Sequence, residues 1–126
     1  MSTIIIIEDN AQSARLAARL LRKAGHEVLT AEDGETGLQT VFEHMPDVVL
    51  IDLGLPDIDG QTVIVLLRDQ PELAGVPIVA FTAYPIEIAQ KMAETYGCAG
   101  VITKPIDTHQ FAGQVSEFLK RDEQQL

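Results

Sequence analysis

The sequence predicts a doubly wound α/β fold, with five parallel strands in the order 2-1-3-4-5 and five helices covering both faces. Three observations carry this expectation. Short runs rich in β-branched residues alternate with segments whose apolar residues recur at helical spacing, the pattern of a parallel sheet with right-handed helical crossovers. The runs Ile4-Ile5-Ile6-Ile7 and Val48-Val49-Leu50-Ile51 are apolar without alternation, as strands buried on both faces require. Both runs stop abruptly at acids, Glu8-Asp9 and Asp52, at the strand ends where open α/β sheets place their ligands.

In chain order, the first strand is Ile4 to Ile7. The helix after it sets Ala17, Leu20, Leu21 and Ala24 at i, i+3, i+4 and i+7, and Gly25 ends it. Glu27 to Ala31 is a short second strand whose polar residues around Val28 suit a sheet edge. Glu32-Asp33-Gly34 turns into a second helix with Leu38, Val41, Phe42 and Met45 as its stripe, closed by Pro46. The third strand ends at Asp52, and Gly54 and Pro56 force a turn there. Asp59-Gly60 starts a third helix carrying Val63, Leu66 and Leu67, and Pro71 and Gly75 bound its exit loop. Val76 to Phe81 is the fourth strand, followed by Thr82-Ala83-Tyr84-Pro85, where Pro85 suits the first position of a helix. That helix buries Ala89, Met92, Ala93 and Tyr96 and stops at Gly97. Gly100-Val101-Ile102 is the fifth strand, ending at Thr103-Lys104-Pro105. Asp107 or Thr108 caps the last helix, whose inner face is Phe111, Val115, Phe118 and Leu119.

A chain of 126 residues fits one domain, expected over residues 1–121 with 122–126 as a short tail. A formal charge of −10 argues against binding nucleic acid, which needs Lys and Arg to neutralise phosphates. No apolar run approaches the roughly 18 residues that would span a bilayer, and the start lacks a signal peptide's basic and apolar regions. Membrane insertion is therefore not expected. The single cysteine, Cys98, permits no internal disulfide, which suits a cytoplasmic location, and it reads as a small core residue. His26, His44 and His109 lack metal-ligand spacing and read as surface or capping groups.

Glu8, Asp9, Asp52, Thr82 and Lys104 all follow interior strands, so their side chains should line one cleft at one sheet edge. Each has a plain alternative as a capping acid, turn former, strand-end hydroxyl or solvated lysine. Their joint placement is what argues for a site. Like charges about 4 Å apart cost about 4 kcal/mol at an effective dielectric near 20, so three carboxylates there need a cation or extensive hydration. Oxygen-only ligands favour a hard ion such as Mg²⁺. Asp52 could then act as a nucleophile toward phosphorus, with Thr82 and Lys104 holding phosphoryl oxygens.

Glu8-Asp9, Asp52-Leu53-Gly54-Leu55-Pro56, Asp59-Gly60, Thr82-Ala83 and Lys104-Pro105 together resemble the receiver domain of bacterial two-component response regulators. The resemblance covers nearly the whole chain. It implies a flavodoxin-like fold in which Asp52 accepts a phosphoryl group from the phosphohistidine of a sensor histidine kinase or phosphotransfer protein. It further implies that Asp9, Asp52 and the Gly54 carbonyl bind Mg²⁺, with Glu8 nearby through water, and that Thr82 and Lys104 read the phosphoryl group. Such a domain catalyses only its own phosphorylation and slow dephosphorylation. Because the chain stops soon after the fifth helix, a stand-alone receiver is expected. Its signal would pass to a downstream protein or relay partner docking on the last two helices, a face also open to homodimerisation.

One position departs from the pattern. Three residues before the lysine the family usually carries Tyr or Phe, and here stands Val101. An aromatic that swings inward on phosphorylation is missing. Tyr84, two residues past Thr82, reads first as a partly exposed ring beside the site, with a part in that signalling or in screening the acyl phosphate from water as the alternative. Three other functions fit these residues less well. A flavin electron carrier would need a hydroxyl-rich loop in place of Glu8-Asp9-Asn10. A Mg²⁺-dependent phosphohydrolase would need a general acid at the position of Gly54. A docking module that works without phosphorylation leaves the acid, Thr82 and Lys104 set without a purpose.

Overall fold

The computed structural model describes residues 2–124, with side chains through Leu119. The elements are β1 (Thr3–Ile7), α1 (Ala11–Lys23), β2 (Glu27–Ala31), α2 (Gly34–His44), β3 (Val48–Ile51), α3 (Gly60–Arg68), a 3₁₀ turn (Pro71–Leu73), β4 (Ile78–Thr82), α4 (Ile86–Tyr96), β5 (Gly100–Thr103) and α5 (Phe111–Gln124). All strand pairs are parallel and the order is β2-β1-β3-β4-β5, as the sequence predicts.

The strand period of two divides the core. Ile4, Ile6, Val48, Leu50, Val79 and Phe81 face α1 and α5, packing on Ala17, Leu21, Phe111 and Val115. Ile5, Ile7, Val49, Ile51, Ile78 and Ala80 face the other layer, against Val41, Val63, Ile64 and Leu67. Each fully buried Ile, Val or Leu contributes about 1.5–3 kcal/mol relative to exposure. All four apolar residues of β3 and Ile4 to Ile7 of β1 are completely buried, so these two central strands are the rigid base of whatever sits at their ends.

The helical stripes differ from expectation in an instructive way. On α1 the buried set is Ala14, Ala17, Ala18 and Leu21, one turn earlier than expected, and Ala24 is exposed. On α2 Gly34, Gly37 and Val41 are buried, whereas Phe42 and Met45 are each 44% exposed. A Cβ on Gly37 would overlap the Ile7 side chain, at 2.6–2.9 Å from three of its carbons. The helix therefore lies against β1 through its smallest residues, and the large apolar ones are left on its flank. On α3 Ile64 replaces the expected Leu66, which is 43% exposed.

Other boundaries shift by a residue or two. β4 begins at Ile78 and includes Thr82. Pro85 is the N-cap of α4, one position outside the helix, and Gly97 closes that helix with φ +85°. The exit from α3 is organised by the 3₁₀ turn and by Arg68, whose guanidinium donates to the Leu73, Val76 and Gly97 carbonyls at 3.2, 2.8 and 3.0 Å. Asp107 rather than Thr108 closes the turn that leads into α5, accepting from the His109 and Gln110 amides at 2.8 and 3.2 Å. The helix continues to Gln124. Of the expected tail 122–126, residues 125 and 126 lie outside the described residues.

Candidate functional site

Parallel registration brings the acids together. Ile7 is in register with both Ala31 and Ile51. The ladder then extends one step past each strand, with the Glu8 amide donating to the Ala31 carbonyl and the Asp52 amide to the Ile7 carbonyl, both at 2.9 Å. Glu8 and Asp52 are thus held at the ends of adjacent strands. On the other side Thr82 registers with Thr103, and the Lys104 amide donates to the Thr82 carbonyl at 2.8 Å. The Lys104–Pro105 peptide is cis.

Glu8, Asp9 and Asp52 each offer a carboxylate oxygen within 4.8 Å of the others. Glu8 is 2% exposed, Asp52 9%, and Asp9 stands open at the mouth. Lys104 crosses above them: its Nζ lies 2.9 and 3.1 Å from the Glu8 oxygens and 3.5 Å from Asp52 Oδ2. It also lies 5.2 Å from the centre of the Phe81 ring, near enough for a cation–π contact. Burial drives the Glu8 carboxyl above its ordinary value, the hydrogen bond from Lys104 pulls it down, and the charge of Asp52 pushes it up again. Three carboxylates against one ammonium leave a formal charge of −2. A hard divalent cation matches that charge and an all-oxygen donor set, so Mg²⁺ fits the residues present.

The loop after β3 is fixed at several points. The Gly54 amide donates to Asp52 Oδ1 at 3.1 Å. The first residue of α3, Gly60, has room for no side chain, because a Cβ there would run into the Asp52 carbonyl oxygen and the Leu53 Cα. Leu53 and Leu55 are buried beneath the loop. Thr82 is 1% exposed, and its hydroxyl accepts from the Tyr84 amide at 3.1 Å. Tyr84 itself is 39% exposed. A point one Cβ out from Gly54 lies 3.9 Å from both the Tyr84 hydroxyl and Asp52 Oδ1, so the phenol reaches over the site's rim. Val101 is half-buried and packs against the α2–α4 layer of the core.

Every singled-out acid, with Lys104, thus meets at one sheet edge, and Thr82 lies on the β4 end beside them. The histidines take no part, since the only cluster of metal-capable groups among the described residues is Glu8, Asp9 and Asp52. Two supporting residues escaped the sequence. Asn10 caps α1, its Oδ1 accepting from the Ser13 amide at 2.9 Å, and its own amide donates to Glu8 Oε1 at 3.3 Å. Its position before a helix was a usable signal. Asp57 accepts from the Gly34 and Glu35 amides at 2.8 and 3.0 Å, a pairing across 23 and 22 residues that no local pattern reveals.

Residues 4–116 match the family model described as the response regulator receiver domain. Among known proteins, the chain is 31% identical over 117 residues to the polar-differentiation response regulator DivK of Brucella anthropi, covering 93% of this chain and 95% of that one. A crystal structure of a response regulator from Chloroflexus aurantiacus superposes with a TM-score of 0.89 at 31% identity, covering 95% of this chain and 98% of the other. The chemotaxis response regulator CheY4 of Vibrio cholerae shares the fold at a TM-score of 0.88 and 22% identity, with 94% and 98% coverage.

Proposed function

Because the chain belongs to the response regulator receiver family, whose members are phosphorelay signalling domains rather than classical enzymes, we propose that Asp52 is its phosphoacceptor. The observation that carries this reading is the convergence of Glu8, Asp9 and Asp52 within 4.8 Å under the Lys104 ammonium. Asp52 is held on a rigid strand end, keeps one oxygen on the Gly54 amide and has the other beside Lys104.

In transfer from a phosphohistidine, an Asp52 oxygen forms its bond to phosphorus as the P–N bond breaks, and that electron pair returns to the imidazole. Family members bind Mg²⁺ at an acidic pocket. Here Asp9, Asp52 and the Gly54 carbonyl would hold it, with Glu8 through water. The ion's chemistry is to offset charge on the carboxylate and the transferring phosphoryl group. Lys104, 3.5 Å from Asp52 Oδ2, is within reach of a phosphoryl oxygen attached there. Thr82 already accepts a hydrogen bond from the Tyr84 amide, which leaves its hydroxyl hydrogen to donate to another oxygen. Drawing both residues inward biases the β4–α4 loop, a population shift between two arrangements.

The donor is a sensor histidine kinase or a phosphotransfer protein. The output is a protein docking on α4 and α5; Ile86 and Ile88 on α4, with Tyr84 in the loop before it, already expose apolar surface there. Among the described residues no helix is long and apolar enough to cross a membrane. The test is acid-labile phosphate uptake from acetyl phosphate, with and without Mg²⁺, in the parent and in Asp52→Asn. Mg²⁺-dependent labelling that vanishes in the variant is expected. A folded, Mg²⁺-loaded parent that takes no label from acetyl phosphate or from any kinase would leave a phosphorylation-independent docking module in its place.

A further inference from the structure

We infer that Asp57 is a positioning residue, fastening the loop that carries Asp52 and Gly54 to the N-terminus of α2 and so setting the affinity of the metal site. The inference rests on the assignment of that loop as the phosphoacceptor and Mg²⁺ loop. α2 already has a cap of its own: Asp33 Oδ1 accepts from the Thr36 amide at 2.8 Å. Asp57 takes the two remaining forward amides, Gly34 with Oδ1 and Glu35 with Oδ2. A helix needs its terminal amides satisfied but has no need of a carboxylate from a distant loop to do it. The doubled capping makes sense as a constraint on the loop.

The geometry supports this. Asp52 is fixed by β3, and Gly60 is pressed against the Asp52 carbonyl. Between them lie residues 53–59, and within that span Asp57 alone has side-chain bonds to another element among the described residues. Gly34 has to be small for this contact, since a Cβ would meet Val63 Cγ2 at 3.0 Å and Ile58 Cβ at 3.1 Å. The carboxyl of Asp57 is held below its ordinary value, first by the Gly34 amide, so it stays ionised as the bond requires. Because coupling is reciprocal, an ion that orders the loop also tightens α2's first turn.

The test compares Asp57→Ala with Asp33→Ala, which removes a cap from the same helix without touching the loop. In EDTA, hydrogen exchange of the Gly54 amide should quicken in Asp57→Ala and keep the parental rate in Asp33→Ala. The Mg²⁺ Kd of Asp57→Ala should rise roughly tenfold, the low end of what outer-shell partners cost, and stay near parental in Asp33→Ala. Mg²⁺ should slow exchange at Gly34 and Glu35 in the parent and in Asp33→Ala, which keeps both Asp57 bonds, but not in Asp57→Ala. If Asp57→Ala does not fold, Asp57→Asn, which keeps one acceptor oxygen, should show an intermediate Kd. A parental Kd in whichever Asp57 variant folds, or an equal rise in Asp33→Ala, overturns the inference. Failure of the parent to bind Mg²⁺ refutes the functional reading instead, and the EDTA exchange comparison still judges the clamp.

Discussion

Replacing Lys104 with Met keeps most of the side-chain volume and removes the ammonium. The Glu8 side chain is fully buried and takes both of its closest contacts from Lys104, at 2.9 and 3.1 Å. At 2.9 Å and an effective dielectric of about 20, the attraction lost is about 6 kcal/mol. Glu8 has a cheaper course, which is to take up a proton. At pH 7, protonation of a group whose unfolded value is 4.5 costs at most about 3.4 kcal/mol, from 2.5 pH units at about 1.36 each. Relief of Lys104 desolvation and the elevation that Glu8 already has in the parent reduce this, leaving a deficit of about 2–3 kcal/mol.

The deficit depends on pH. A carboxyl whose folded value is raised contributes most stability below its unfolded value, and that stability is lost as pH rises through the folded value. Lys104→Met raises Glu8 further, so the added loss falls in the window between the parent's already raised folded value and the variant's higher one. At pH 5.5 the same arithmetic allows at most about 1.4 kcal/mol. Urea unfolding in EDTA at pH 5.5 and pH 7 should therefore show the gap between parent and variant widening by about 1–2 kcal/mol, with unchanged m values. Equal gaps at the two pH values would show that Glu8 is not the responding group. No gap at either would show that the pair contributes nothing to the fold.

Leu67 and Leu66 are adjacent on α3 but 0% and 43% exposed. Leu67→Ala should cost about 2–5 kcal/mol in urea unfolding and Leu66→Ala under about 1, and similar costs would mean that the helix face is misassigned. Burial pushes the Cys98 thiol up to about 11, so at pH 8 it should react with an aromatic disulfide reagent roughly a hundredfold more slowly than a solvent-exposed cysteine. A rate matching the free amino acid would refute its burial. Tyr84→Ala opens the rim over Asp52, and its aspartyl phosphate should hydrolyse faster than the parent's. An unchanged half-life of the acid-labile label would remove Tyr84 from any screening role.

What the sequence determined is what local chemistry and strand periodicity dictate. Four-residue apolar runs ending in acids suit buried central strands with polar ends, and five strands alternating with five helices imply the doubly wound sheet whose strand ends gather Glu8, Asp9, Asp52, Thr82 and Lys104 at one edge. The buried faces of the helices did not follow. Phe42, Met45 and Leu66 have the right spacing and the right chemistry, yet they lie exposed. How closely a helix approaches the sheet is a property of the whole layer, and here Gly37 against Ile7 and the alanines of α1 set it. The partners of Lys104, Asp57 and Arg68 were beyond reach for a related reason. Each bond joins elements 5 to 96 residues apart, and a charged side chain carries no mark of its partner until packing brings the two within 3 Å or so. Local periodicity thus specified which groups share the site, and tertiary packing alone decided which of them hold one another in place.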